Sequence, residues 1–244
     1  MAMHYKEVPN GISQDEAIKY ARGITSVADF VDFLQSKGEL PEEFATKPKT
    51  IKTPKIEVAR LPLSRETQRL VEHLRKDGYT VYDYSGRTPA QVRVDGMRFW
   101  YLNPALEDLS SNPALLAFKP APEGFYLRGS QNIPHERQLE LLAEEAAGVE
   151  KKYPSARLIT REWHAPEIID VSLQHFRNTG DRLQGKDFGY NYTWTDTYTS
   201  DKQGAYRAFV GHWRAVFGLD ADFWFPGHVN PSLGLASVVE ILRK

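Results

Sequence analysis

"KIEVARLPLSRETQRLVEHLRKDGYTVYDYSGRTPAQVRVDGMRFWYL", residues 55–102, carries the pattern that decides the fold. In "KIEVARLP", Ile56 and Val58 alternate with charged residues, as a half-buried strand requires. Ser64 then precedes a helical stripe of Thr67, Leu70, Val71 and Leu74, and Gly78 follows it, so the spacing predicts a capped helix. "YTVYDY" reads as a strand. "QVRV" and "MRFWYL" flank Asp95-Gly96, the strongest hairpin signal in the chain, because both central positions of the favoured two-residue turn need positive φ. The expected order is strand, helix, strand, hairpin.

Working outward, "ALLAFKP" and "GFYLRG" add two expected strands. Pro134 opens a helix to about Lys152, with Leu139, Leu142, Ala143, Ala146 and Val149 along one side. "ARLIT" is a short strand, and a helix started by Pro166 carries Ile169, Leu173 and Phe176. Residues 188–199, "FGYNYTWTDTYT", form an aromatic strand. Ser200 is expected to cap a helix holding Tyr206, Phe209, Val210, Trp213 and Phe217. "ADFWFPG" is a last strand and "SLGLASVVEILRK" a closing helix. Strands and helices are intermixed, which implies an α+β class: a mixed, largely antiparallel sheet with flanking helices rather than a doubly wound parallel sheet.

Toward the amino end, Ser13 and Ser26 cap two short helices. A Lys-, Thr- and Pro-rich strap follows over residues 38–55. Residues 1–55 therefore read as a helical N-terminal extension and strap, and residues 56–244 as the α+β main domain. The extension has too few apolar residues to offset its own ordering entropy and is expected to pack on the main body.

Hydrophobic residues make up 41% of the chain, enough for a sizeable core, and the formal net charge is −1. That balance gives no reason to expect nucleic acid or an anionic membrane as a partner. The absence of cysteine removes disulfides, thiolate nucleophiles and cysteine metal sites. "MAMHYKEVPNG" has neither a basic nor an apolar leader region, so a cytoplasmic location is expected. There is no Gly-rich phosphate cradle, no G-x-S-x-G elbow and no H-E-x-x-H. No cofactor is expected, and histidine spacing defines no metal site.

The candidate functional residues lie in the last third, where histidine recurs beside tryptophan in "REWHAPE", "GHWRA" and "FWFPGH". Indoles exclude water and can move a neighbouring pKa toward neutrality. His164 stands at a strand-to-helix junction with Glu167 in the first turn. The pair could serve a ligand, or Glu167 could simply cap the helix. In strand geometry Tyr190, Tyr192, Trp194 and Asp196 share one face, and Asn191, Thr193 and Thr195 the other, solvent-directed one. Asp196 fits this aromatic row badly unless paired, with Arg207, Arg214 or His212 as candidate partners. The expected site assigns acid/base work to His164, Asp196 and His212. Tyr190, Tyr192, Trp194, Glu167 and His228 would bind a small polar or sugar-like ligand. In the competing reading the aromatic strand is core and the protein is a structural or interaction protein.

Overall fold

The computed structural model describes residues 63–121, 124–154, 156–184, 191–201, 204–214 and 218–242. The helices expected after Ser13 and Ser26, the strap, the strand at 56–62, and Phe188, Tyr190 and Phe217 lie outside these residues.

Helix α1 (Arg65–Lys76) starts where Ser64 accepts the backbone N–H of Thr67 at 3.1 Å, and it buries Thr67, Val71 and Leu74. Strand β1 (Thr80–Tyr84) follows. The hairpin expected around Asp95-Gly96 does not form: residues Pro89–Val94 are a short helix, α2. Thr88 and Gln91 make a capping box there and Pro89 occupies the first turn. Gly96, at φ +102°, then ends the helix rather than turning a hairpin. Strand β2 (Phe99–Leu102) comes next, then a 3₁₀ turn at Pro104–Leu106 and β3 (Ala114–Phe118). "GFYLRG" contributes only an isolated bridge, Tyr126 to Ala236.

Helix α3 (His135–Lys152) begins after Pro134 as expected. Its inward face is rotated from the predicted one, however. Gln138 is buried, donating to the Ser130 carbonyl at 2.7 Å, while Leu139 and Ala143 are exposed. Strand β4 (Leu158–Glu162) leads into α4 (Ala165–Thr179), which ends at Gly180. After α4 the regular elements among the described residues are all strands: β5 (Tyr192–Asp201), β6 (Gly204–Arg214), β7 (Gly218–Trp224), β8 (Leu233–Leu235) and β9 (Ser237–Ile241). Two expected helices are thereby corrected. Residues 204–214 pair with β5 on one side and β7 on the other, and the closing segment pairs with β5, β3 and β4. Runs such as "FVGHW" and "SVVEI" suit a pleated surface, and neighbouring strands decide the outcome.

Two sheets result. In the first, β1-β3-β9-β4, every neighbour is antiparallel; the second is ordered β2-β7-β6-β5-β8, with parallel pairs at its two edges. The class is α+β with flanking helices. Strand β3 is buried on both faces, so its side chains divide with period two. Leu115 and Ala117 join Val71 and Leu74 of α1 and Val149 of α3, whereas Leu116 and Phe118 face the central core.

That central core is organised by α4. Ten of its residues are buried, and it touches β1 of the first sheet and β5 and β6 of the second. Ile168 and Ile169 share one cluster with Leu116 and Val238 on one side and Val210 and Leu219 on the other. Burying each such side chain stabilises by about 1.5–3 kcal/mol. The opposite face of the second sheet carries a smaller cluster of Trp194, Phe209, Leu233 and Leu235, partly covered by Leu142 of α3.

Candidate functional site

The end of β4 and the start of α4 form a sharp junction at "RLITREWHAPE", residues 157–167. His164 is the N-cap residue of α4 in extended conformation (φ −79°, ψ 143°), and its backbone N–H donates to Glu167 Oε2 at 3.1 Å. Glu167 thus performs the capping role open to it from sequence. It also does more. Arg161 donates to both of its oxygens, at 2.9 and 2.8 Å, and Ser111 Oγ donates to Oε1 at 3.1 Å. Glu167 is buried, which is tolerable for a carboxylate only with such complete pairing.

Arg161 is equally committed. Its Nε donates to Glu240 at 2.8 Å, and its Nη1 also reaches the Glu162 carbonyl at 2.8 Å. Burial alone would pull its pKa down, but Glu167 and Glu240 hold it above the ordinary arginine value. Four of the five guanidinium hydrogens are used within the protein.

Asp196 pairs with His164, whereas Arg207, one of the partners expected for it, is engaged by the Thr195 carbonyl and Glu162; the Arg214 side chain lies outside the described residues. Asp196 Oδ1 sits against His164 Nδ1, and because a carboxylate only accepts, Nδ1 carries the shared hydrogen. The hydrogen bond that His164 donates to Asp196 raises the His164 pKa; partial burial opposes it, and the nearby Glu167 charge adds to it. The other ring nitrogen, Nε2, lies 4.0 Å from Glu167 Oε1. A cavity of about 340 Å³ opens here, lined by Ser110, Ser111, Asn112, Arg161, His164, Glu167 and Glu240. Among the described residues its lining is polar, with no Phe, Tyr or Trp.

Asp196 reaches His164 because β5 is irregular. Trp194 pairs with Phe209 and Tyr198 with Arg207, so four steps along β5 match two along β6. Thr195, Asp196 and Thr197 together oppose Ala208, and this bulge takes Asp196 out of the aromatic row. The Asp196 N–H donates to the Trp163 carbonyl at 2.9 Å, and the Ala165 N–H to Thr197 Oγ1 at 2.9 Å. The two faces expected of β5 are corrected accordingly. Thr193 and Thr195 are fully buried rather than solvent-directed, and Tyr198 is exposed.

The other predicted site residues gather elsewhere. Tyr192 stacks on His212 with centroids 5.6 Å apart and meets Phe209 edge-on at 5.0 Å, and its hydroxyl donates to Asp220 at 3.1 Å. Trp194 is buried against Phe209. His228 stacks on Trp224 at 3.8 Å, and Trp224 in turn neighbours Phe209 at 5.6 Å. His212 joins this group because its φ is +47° and the β6–β7 register shifts between Gly211 and Arg214. Trp213 thereby packs on Phe176 of α4, leaving His212 to stack on Tyr192.

The residues of the expected single site therefore divide into a polar cluster of His164, Asp196 and Glu167 at the β4–α4 junction and a separate aromatic cluster with Tyr192, Trp194, His212 and His228. Ser111 and Glu240 were not singled out from sequence, and Arg161, one of several arginines near the expected site in sequence, was not assigned to it. Arg161 sits three residues before His164, a faint signal, whereas Ser111 and Glu240 arrive only through tertiary folding. Among the described residues, no three His, Asp or Glu side chains converge to hold a metal ion. No helix among them is long and apolar enough to cross a membrane. No family model, no curated protein and no solved structure matches this chain.

Proposed function

We propose that the chain binds and acts on a small, neutral, hydroxyl-rich ligand in the cleft at the β4–α4 junction, with His164 as the general base and Asp196 as the group that orients it. The observation that carries this reading is that His164, paired through Nδ1 with Asp196, lines a polar cavity of about 340 Å³. With Nδ1 held by Asp196, Nε2 is the nitrogen left to accept a proton from a ligand hydroxyl or a water. Tuning of this kind, by a hydrogen-bonded carboxylate, is common where acid/base chemistry occurs.

The charge balance argues against an anionic ligand. Glu167, Glu240 and Asp196 outnumber Arg161 even when His164 is protonated, and Arg161 is spent on two carboxylates. A phosphate or carboxylate would meet repulsion and find no free guanidinium fork. Ser110, Ser111 and Asn112 offer hydroxyl and amide groups suited to a sugar or polyol.

A second reading, a protein-interaction role, draws on two exposed rings, Trp100 in β2 and Phe225 just after β7, which are 55% and 64% exposed. One titration separates the two. Neutral monosaccharides and polyols are added to the protein while the histidine imidazole resonances are followed by NMR. Binding that shifts His164, and is lost in His164→Ala, supports the cleft. A set of compounds that leaves His164 unmoved, or moves only His212 and His228, overturns it.

A further inference from the structure

The geometry points to Arg207 as a positioning residue: from the buried side of the second sheet it fixes the β5 bulge that turns Asp196 onto His164. The inference rests on the reading of His164 and Asp196 as an acid/base pair, but its test needs no ligand.

A bulge leaves backbone groups without their ladder partners, and these must be satisfied another way. At the β5 bulge Arg207 does this: its Nε donates to the Thr195 carbonyl, while Thr195 Oγ1 donates to the Ala208 carbonyl at 3.0 Å. Arg207 Nη2 meanwhile donates to the Glu162 carboxylate in β4. Thr195 immediately precedes Asp196, and Glu162 lies two residues before His164. One rigid guanidinium thus ties together the two strands that carry the two halves of the pair. The neighbouring link, Asp196 N–H to the Trp163 carbonyl, completes the tie.

Arg207 is wholly buried, with Trp194 and Tyr198 rings 5.4 and 5.6 Å from its guanidinium carbon. His135 Nε2 reaches the same Glu162 oxygen at 3.3 Å. Burial pushes the Glu162 pKa up, but His135 and Arg207 outweigh it and hold the group as a carboxylate. A lysine would supply the charge without the fork that reaches both Thr195 and Glu162.

The test reads the ionisation of His164, whose charged neighbours are Asp196 from β5, Glu167 from α4 and Arg161 from β4. Arg207→Lys and Glu162→Gln are titrated by imidazole NMR beside Asp196→Asn, with amide spectra of the second sheet reporting whether each variant is folded. If Arg207 positions Asp196, the His164 pKa falls toward the ordinary histidine value in both variants. Arg207→Lys combined with Asp196→Asn should then add nothing to Asp196→Asn alone. A folded variant with His164 titrating as in the unaltered protein overturns the inference. A second measurement needs no substitution: in the unaltered protein the Arg207 Nε–H and the Asp196 amide must exchange with solvent slowly and with similar protection. Fast exchange at either one overturns the inference whether or not the variants fold.

Discussion

His164 and His175 stand eleven residues apart, one capping α4 and the other within it, and their environments push their titrations in opposite directions. Asp196 raises the first; burial lowers the second, whose Nδ1 lies 3.2 Å from the Tyr82 hydroxyl among the rings of Tyr82 and Phe118. A raised folded-state pKa contributes stability that is complete below the ordinary value of 6.5 and is lost as pH rises through the raised one. A lowered pKa contributes stability present above 6.5 and lost as pH falls through the lowered one. For these two groups the thermal midpoint should decline on both sides of about 6.5. Asp196→Asn is expected to flatten the alkaline limb and His175→Phe the acid limb, as followed by circular dichroism across pH. An alkaline limb unchanged by Asp196→Asn would mean the pair carries no linkage. If the cleft is catalytic, His164→Ala should also lower turnover by about 100-fold or more. On that same premise the rate in the unaltered protein should rise with pH through the raised pKa, since the base must be unprotonated.

Strand β6 illustrates why some elements could be read and others could not. The helices α1, α3 and α4 announce themselves through local signals: Ser64 with a Thr67–Val71–Leu74 stripe, Pro134, and Glu167 reaching back to His164. Residues 204–214 carry a signal of the same kind, Ser200 as an apparent cap, but it misleads, since Ser200 lies within β5. Their side chains fit a helical stripe or a strand equally well, and only pairing with β5 and β7 decides between them. Asp95-Gly96 failed in the reverse way, since a hairpin signal was outweighed by a capping box seven residues earlier. The cleft was partly legible because His164 and Glu167 are close in sequence. Asp196 was singled out as a misfit, yet its partner was hidden by a bulge that no local pattern encodes. Close backbone approach in the second sheet gives a test. A Cβ on Gly218, at φ +96°, would lie 2.2 Å from the Arg98 carbonyl oxygen, and one on Gly211 would lie 2.3 Å from that of Asn191. Both obstacles are backbone, so Gly218→Ala and Gly211→Ala should each cost about 2 kcal/mol or more in urea denaturation. Gly148, inside α3 with nothing within 4 Å, should behave oppositely: Gly148→Ala should stabilise by about 1 kcal/mol.

Among the described residues α4 packs against strands of both sheets, and this arrangement has a thermodynamic consequence. Ile168 and Ile169 are fully buried in a cluster with side chains from both sheets, so neither sheet keeps its inner face dry without the helix. The cleft depends on the same joint. His164 and Glu167 belong to the first turn of α4, Arg161 to β4 of the first sheet, and Asp196 to β5 of the second. Loosening α4 should therefore open the cleft and unzip both sheets together. Replacing Ile169 by Ala removes packing from a site closed on all sides, at an expected cost of about 2–5 kcal/mol. Native-state hydrogen exchange is the suitable measurement, because it assigns the loss strand by strand. The amides of Leu116 in β3 and Val210 in β6 should lose protection by the same amount in Ile169→Ala, and the Asp196 amide should lose it with them. If Leu116 keeps its protection while Val210 loses it, the sheets unfold separately and α4 belongs energetically to the second alone. Equal loss would make α4 the shared support of both sheets and of the His164–Asp196 pair.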